Sequence, residues 1–169
     1  MNMIETIKKL FQNFFAIRLG KLSDYLYAFF GAMAIILYHN LVIQFFDSIT
    51  KAPELPENLQ PFFEVATGEH DYLFYYMIIS VCIVAPIIEE LFFRGALWHI
   101  LEKFLSKKYV FIITSILFAL AHVEPHHIIG VLPVGVYIGW LRLRSNSIFP
   151  PIFAHMTNNF IVCLYLINW

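Results

Sequence analysis

The chain has 169 residues, of which 60% are hydrophobic and 14% charged, where soluble domains sit nearer half apolar and a quarter charged. That balance excludes an ordinary soluble domain and, at this length, gives one membrane domain over residues 1–169. A formal net charge of −1 leaves no basic footprint for a nucleic acid, and two cysteines, Cys82 and Cys163, lie in apolar runs and read as small fillers rather than a disulfide framework.

The first segment, "MNMIETIKKLFQNFFAIRLGK", lacks the uninterrupted apolar core and small-residue cleavage site of a signal peptide. Ile4, Ile7, Leu10, Phe11 and Phe14, with Lys8 and Lys9 between them, predict an amphipathic helix lying on the membrane surface. A bilayer core of about 30 Å takes about 20 apolar residues per helix, and residues 24–46 supply a first span. His39, Asn40 and Gln44 within it read as interhelical hydrogen-bond donors and acceptors. An acidic, proline-bearing loop follows over 47–71. Further apolar runs cover 72–105, 109–123, 127–141 and 148–168, the last entered through "FPPIF". Gly135 and Gly139 in the fourth run form a small-xxx-small pair suited to close helix packing. The predicted fold is all-α: a polytopic transmembrane bundle of about five spans plus the N-terminal amphipathic helix.

Lys8, Lys9, Arg18 and Lys21 precede the first span, Arg94, Lys103, Lys107 and Lys108 lie between the second and third, and Arg142 and Arg144 between the fourth and fifth. Lys51 alone falls on the other side. The positive-inside rule then puts the N-terminus in the cytoplasm and the C-terminus outside.

The second run contains "APIIEELFFRGALW" at 85–98, with three charges in six residues of otherwise lipid-like sequence. Glu90 and Arg94 share a helix face and can pair. Glu89 stands about 100° round the helix from Glu90 and has no such partner in its own segment. An ionisable residue at membrane depth costs at least about 2.5–3.5 kcal/mol on insertion scales, so its default reading is functional. The competing reading is an interfacial charge cluster. Two further runs weigh against it: "SILFALAHVEPHH" carries Phe118 and His122 at four-residue spacing, and "FAHMTNNF" carries His155 and Asn159 likewise. Polar side chains in apolar helices need partners, and one another are the nearest available. Together these residue types suit amide hydrolysis. Glu89 can take a proton from water, His122 can orient that water, and His155 and Asn159 can donate to a developing oxyanion. Ser80 and Cys82 lie more than a turn before Glu89 on the same helix, which disfavours a nucleophilic mechanism. His126 and His127, after Pro125, read as solvated loop residues at the outer edge of the bilayer.

"EELFFR" (Glu89, Glu90, Arg94), "FALAH" (Phe118, His122) and "HMTNN" (His155, Asn159), in this order across residues 80–165, resemble the three signatures of the CPBP family. These are the CAAX-prenyl-endopeptidase and bacteriocin-processing proteins, also called Abi proteins, which are intramembrane endopeptidases. The resemblance implies a catalytic core over 80–165 in an integral protein of a bacterial or archaeal cell membrane. It implies Glu89 as the water-activating glutamate, His122 as its partner on the water, and His155 with Asn159 as the oxyanion site. Glu90, Arg94 and Phe118 would support them. It also implies a metal-free mechanism with no cofactor; the alternative is a zinc site on Glu89, His122 and His155, against which no His-Glu-x-x-His helix is present. Many relatives have about eight spans, more than are read here, which bears on access and gating. Prenylated CAAX peptides, bacteriocin leaders, pheromone precursors and membrane-protein tails are all open as substrates. The other function classes are a non-catalytic immunity or scaffold protein and a small transporter or proton relay.

Depth is the difficulty in this reading. His122 falls toward the outer end of its helix and His155 just inside the inner boundary, so a gap of more than about 10 Å at 1.5 Å per residue must close. The 72–105 run is too long for one upright span, which would bring Glu89 nearer mid-membrane with Pro86 permitting a kink. That, or irregular chain at "FPPIF" lining a cavity, would close it.

Overall fold

Residues 3–49, 64, 72–123 and 125–167 are described by a computed structural model, and among them all regular structure is helical. The amphipathic pattern at the N-terminus becomes α1, Met3–Phe14, with Ile4, Ile7, Leu10 and Phe11 all exposed. The backbone turns at Ala16, whose φ is 52°, and Ile148 donates its N–H to the Ala16 carbonyl at 3.1 Å. That bond ties α1 to the foot of the bundle.

Helix α2 runs Leu22–Ile49. Asp24 reaches back to the Lys21 N–H at 3.0 Å, half of a capping box, and also pairs with Arg144 at 3.3 Å. The acidic loop expected over 47–71 starts later, because residues 47–49 are the last of α2. Apart from residue 64, which is helical, residues 50–71, with Lys51, and the side chain of Gln44 lie outside the described residues. Helix α3 is a continuous helical stretch, Tyr72–Leu101, followed by α4, Lys107–Leu120, α5, Pro125–Ser145, and α6, Phe149–Ile167. Tyr72–Leu101 and Ile128–Ser145 are long and apolar enough to cross a bilayer. Asn146, in the left-handed region at φ 50°, closes α5 as a C-terminal cap residue does.

Ala28 of α2, Val134, Ile138 and Leu141 of α5 and Ala154 of α6 form the buried core, flanked by Ile35, Tyr137 and Trp140. Helices α4 and α5 pack closely, as the small-residue pair predicts. A Cβ on Gly139 would stand 2.6 Å from Ser115 Oγ, and one on Gly135 would stand 2.9 Å from Phe118 Cδ1. Cys82 of α3 and Cys163 of α6 are free, buried and 3.3 Å apart at sulfur, fillers at the contact between those helices.

Two expectations are corrected. "FPPIF" is not irregular chain: α6 begins at Phe149, with Pro150 and Pro151 in its first turn, where a missing N–H costs nothing. The His126–His127 segment is helical rather than loop, since α5 starts at Pro125; their side chains lie outside the described residues.

The depth gap closes through the length of α3, without irregular chain at "FPPIF". Arg142 Nε donates to the Arg94 carbonyl at 2.9 Å, so Arg94 sits level with the end of α5 and α3 continues beyond it to Leu101. Helix α6, starting just after α5 ends, therefore enters already level with Arg94 and reaches Glu90 within two turns. His122, at the end of the short α4, lies roughly 23 Å from Lys107 at about 1.5 Å per residue, inside a 30 Å core.

Candidate active site

Pro86 sets the local geometry of α3. A proline inside a helix lacks an N–H and presses on the carbonyl four residues earlier. Here the turn before it is widened into a π-helical one over Ser80–Val84, in which the Ala85 N–H donates to Ser80 O. The Val81 carbonyl is thereby left without its helical donor. Asn159 of α6 supplies one, its Nδ2 donating at 2.9 Å. A second π-helical segment spans Leu91–Leu97, so the single α-helical stretch Ala85–Glu90, which carries both glutamates, is bracketed by widened turns. Such bulges re-aim side chains and occur often at functional sites.

Glu90 is fully buried. Its Oε1 accepts from Arg94 Nη1 at 3.2 Å and faces His155 Nδ1 at 3.0 Å. Since a carboxylate only accepts, Nδ1 carries the proton and His155 Nε2 is the atom left to face outward. It looks toward Glu89 Oε2 at 3.9 Å. That is too long for a hydrogen bond, yet a water about 2.8 Å from each atom would touch both. Glu89 Oε2 is buried at the atom and has no hydrogen-bond partner among the described residues, and the same holds for Glu90 Oε2 and Arg94 Nε. The Glu89 side chain as a whole is 34% exposed, so the site is open on one side.

Phe118, fully buried, is the platform of the site. The Arg94 guanidinium lies 4.2 Å from its ring centre, a cation–π contact that helps hold a buried cation. The rings of His155 and His122 stand 5.4 and 5.2 Å from it. Arg94 Nη2 also donates to the Gly135 carbonyl at 2.8 Å, which Ser115 Oγ approaches at 3.2 Å. The lack of a Cβ at Gly135 is what lets these groups meet.

The structure thus brings Glu89, Glu90, Arg94, Phe118 and His155 together from α3, α4 and α6. His122 adjoins them through the Phe118 ring, with its Nδ1 2.9 Å from the Phe118 carbonyl. Val123, next in sequence, sits at φ 63°, an outlier for a β-branched residue. Asn159 lies one turn beyond His155 on the same face, with one amide hydrogen spent on Val81. Among the described residues no three His, Cys, Asp or Glu side chains converge as a metal-binding group. Sequence reasoning missed the Glu90–His155 bond and the Ser115–Gly135 contact. Ser115 had a signal, since it lies one turn before Phe118 and two before His122 on a helical face.

Residues 71–161, a stretch that contains all of these side chains, match the family described as type II CAAX prenyl endopeptidase, Rce1-like. A Bacillus subtilis (strain 168) protein named "Putative membrane peptidase YdiL" is 34% identical over 91 residues, covering 53% of this chain and 37% of that protein. The match therefore spans little more than a third of that relative's length. No solved structure matches the chain.

Proposed function

Because the chain belongs to the Rce1-like family of type II CAAX prenyl endopeptidases, we propose that it hydrolyses a peptide bond of a peptide or membrane-associated protein. The observation that carries this reading is the relay Arg94–Glu90–His155, which is buried and presents His155 Nε2 to a carboxylate oxygen of Glu89 that lacks a partner. A charge cluster serving only the bilayer edge would be solvated, whereas Glu90, Arg94 and His155 are buried and Glu89 alone is partly exposed.

In the proposed reaction Glu89 takes a proton from a water, which His122 orients from the end of α4, and the hydroxide adds to the scissile carbonyl carbon. The oxyanion accepts from the second amide hydrogen of Asn159 and from His155 Nε2, which donates in the imidazolium form whose Nδ1–H is held by Glu90. On collapse the carbon–nitrogen bond breaks and Glu89 returns the proton to the leaving amine. Glu90 and Arg94 act through His155 as positioning residues, and Phe118 keeps their rings and charges in register.

The test is reconstitution of the full chain in liposomes with a mixed library of prenylated and unmodified peptides, products being read by mass spectrometry. Glu89→Gln is expected to lower turnover by about 10²–10⁴-fold, and His122→Ala to lower it as well. Cleavage that persists in Glu89→Gln overturns the mechanism. Loss of activity with a chelator, restored by zinc, moves the reading to a metal held by Glu89, His122 and His155.

A further inference from the structure

At the cation-bearing end of the bundle, away from the glutamates, a cavity of about 400 Å³ opens between α1 and the ends of α3, α4 and α5. Arg18, Lys103, Lys107 and Arg142 line it, with Glu102 and His99. Four cationic side chains thus face one carboxylate, which lies 3.6 Å from His99 Nδ1.

Arg142 is the informative member. It is 4% exposed, and its hydrogen-bond and ring contacts are all neutral: Nε on the Arg94 carbonyl, Nη1 on Asn146 Oδ1 at 3.3 Å, and the Trp98 ring at 5.1 Å. Glu102, in the same cavity lining, attracts it only from beyond ion-pair distance. No carboxylate lies within ion-pair distance of it among the described residues. A guanidinium this buried ordinarily has a counter-charge, since desolvating an unpaired ion is costly. Lys103 and Lys107 are likewise in no ion pair with a carboxylate among the described residues, where the Arg18 guanidinium donates to the neutral Asn13 side chain, at 3.1 Å. Helix α4 opens here with Ser106 in the capping position making no side-chain bond, and the positive end of its dipole adds to the field.

What would neutralise this cavity is an anion with several acceptor oxygens. We propose that it is a binding site for a phosphate group, held between Arg142 at its base and Arg18, Lys103 and Lys107 at its rim. Arginine suits phosphate because its planar fork matches two oxygens at once. The location suits a phosphate carried by a lipid headgroup. The apolar side chains of α1 are exposed, as in a helix seated in the interfacial layer, and Phe14 of α1 packs on His99 at the cavity mouth, their rings 4.7 Å apart. Basic pockets between helix ends at a membrane surface are the usual places where anionic headgroups lodge. A soluble phosphate would use the same groups.

The full chain is purified in neutral detergent and examined in two arms. In the first, native mass spectrometry and thermal unfolding follow titration with phosphatidylglycerol against phosphatidylcholine. In the second, inorganic phosphate is titrated at constant ionic strength. Wild type is expected to retain and be stabilised by phosphatidylglycerol in preference to phosphatidylcholine. Lys103→Gln with Lys107→Gln, both exposed and outside the peptidase site, is expected to weaken that binding by roughly thirtyfold, about fivefold per lysine. Arg142→Gln should abolish it, but Arg142 also holds the Arg94 carbonyl, so the lysine pair is the decisive variant. Stabilisation by inorganic phosphate alone, lost in the lysine variant, supports the site with a soluble ligand. Equal behaviour of wild type and the lysine variant in both arms overturns it.

Discussion

Glu90 holds Arg94 and His155 through one oxygen and is fully buried, whereas the neighbouring Glu89 is about one-third exposed and bonds to neither. Adjacent, chemically identical residues therefore sit in different environments, and stability should separate them. Removing one partner of a buried ion pair strands the other charge, at a cost of about 3–5 kcal/mol. Glu90→Gln leaves Arg94 in that position, so its unfolding midpoint in detergent should fall steeply. Glu89→Gln strands nothing and should stay within about 0.5 kcal/mol of wild type, while losing turnover. Tryptophan fluorescence on heating measures both, and equal midpoints would contradict the division of roles. The Glu90–Arg94 pair was legible because four-residue spacing fixes a shared face whatever surrounds it. The Glu90–His155 bond was not. Which glutamate turns toward α6 depends on the extra residue accommodated in each widened turn of α3, and in a helix apolar on every side no periodicity records that.

At the level of elements, α3 and α6 are coupled by a defect in one and a side chain in the other. Pro86 and the π-helical turn free the Val81 carbonyl, and Asn159 caps it across the helix pair. A buried acceptor left unmade costs about 1–3 kcal/mol, so Asn159→Leu should destabilise the protein by about that amount independently of any effect on catalysis. Pro86→Ala restores a backbone N–H able to serve Val81 O from within α3. In that background Asn159→Leu should cost less than half as much. Thermal midpoints of the four proteins form a double-mutant cycle, and strictly additive effects would sink the coupling. Helix existence and approximate bounds were readable from runs of apolar residues. The continuation of α3 past Arg94 was readable in the length of the 72–105 run. The level at which α6 enters beside it, which removes the depth conflict between His122 and His155, was not, because length fixes how far a helix can reach and not where its neighbours begin.

For the whole molecule the question is which way the bundle sits in its membrane. Arg18, Lys21, Lys103, Lys107, Arg142 and Arg144 all lie at the end where α1 crosses the bundle foot, several of them lining the basic cavity. A membrane potential and an anionic inner leaflet both favour placing such an end in the cytoplasm, and loop lysines and arginines dominate orientation. The chain should therefore insert with the connections α1–α2, α3–α4 and α5–α6 inside. Truncations joined to alkaline phosphatase, which is active only outside, and to a fluorescent protein that matures inside would read this out. Fusion after α3, at Leu105, should give fluorescence without phosphatase activity, and fusion within the segment after α2 should give the opposite. The reverse pattern would turn the basic cavity outward and detach it from the anionic leaflet. The same orientation sets the approach to Glu89, because that side chain lies about 18 Å from the α3 terminus at about 1.5 Å per residue. A substrate from the cytoplasm must then pass the charged foot or enter sideways from lipid. Substrates that partition into the bilayer should consequently be cleaved faster than soluble peptides of the same sequence, a difference that the liposome assay measures by comparing lipid-anchored with unanchored versions.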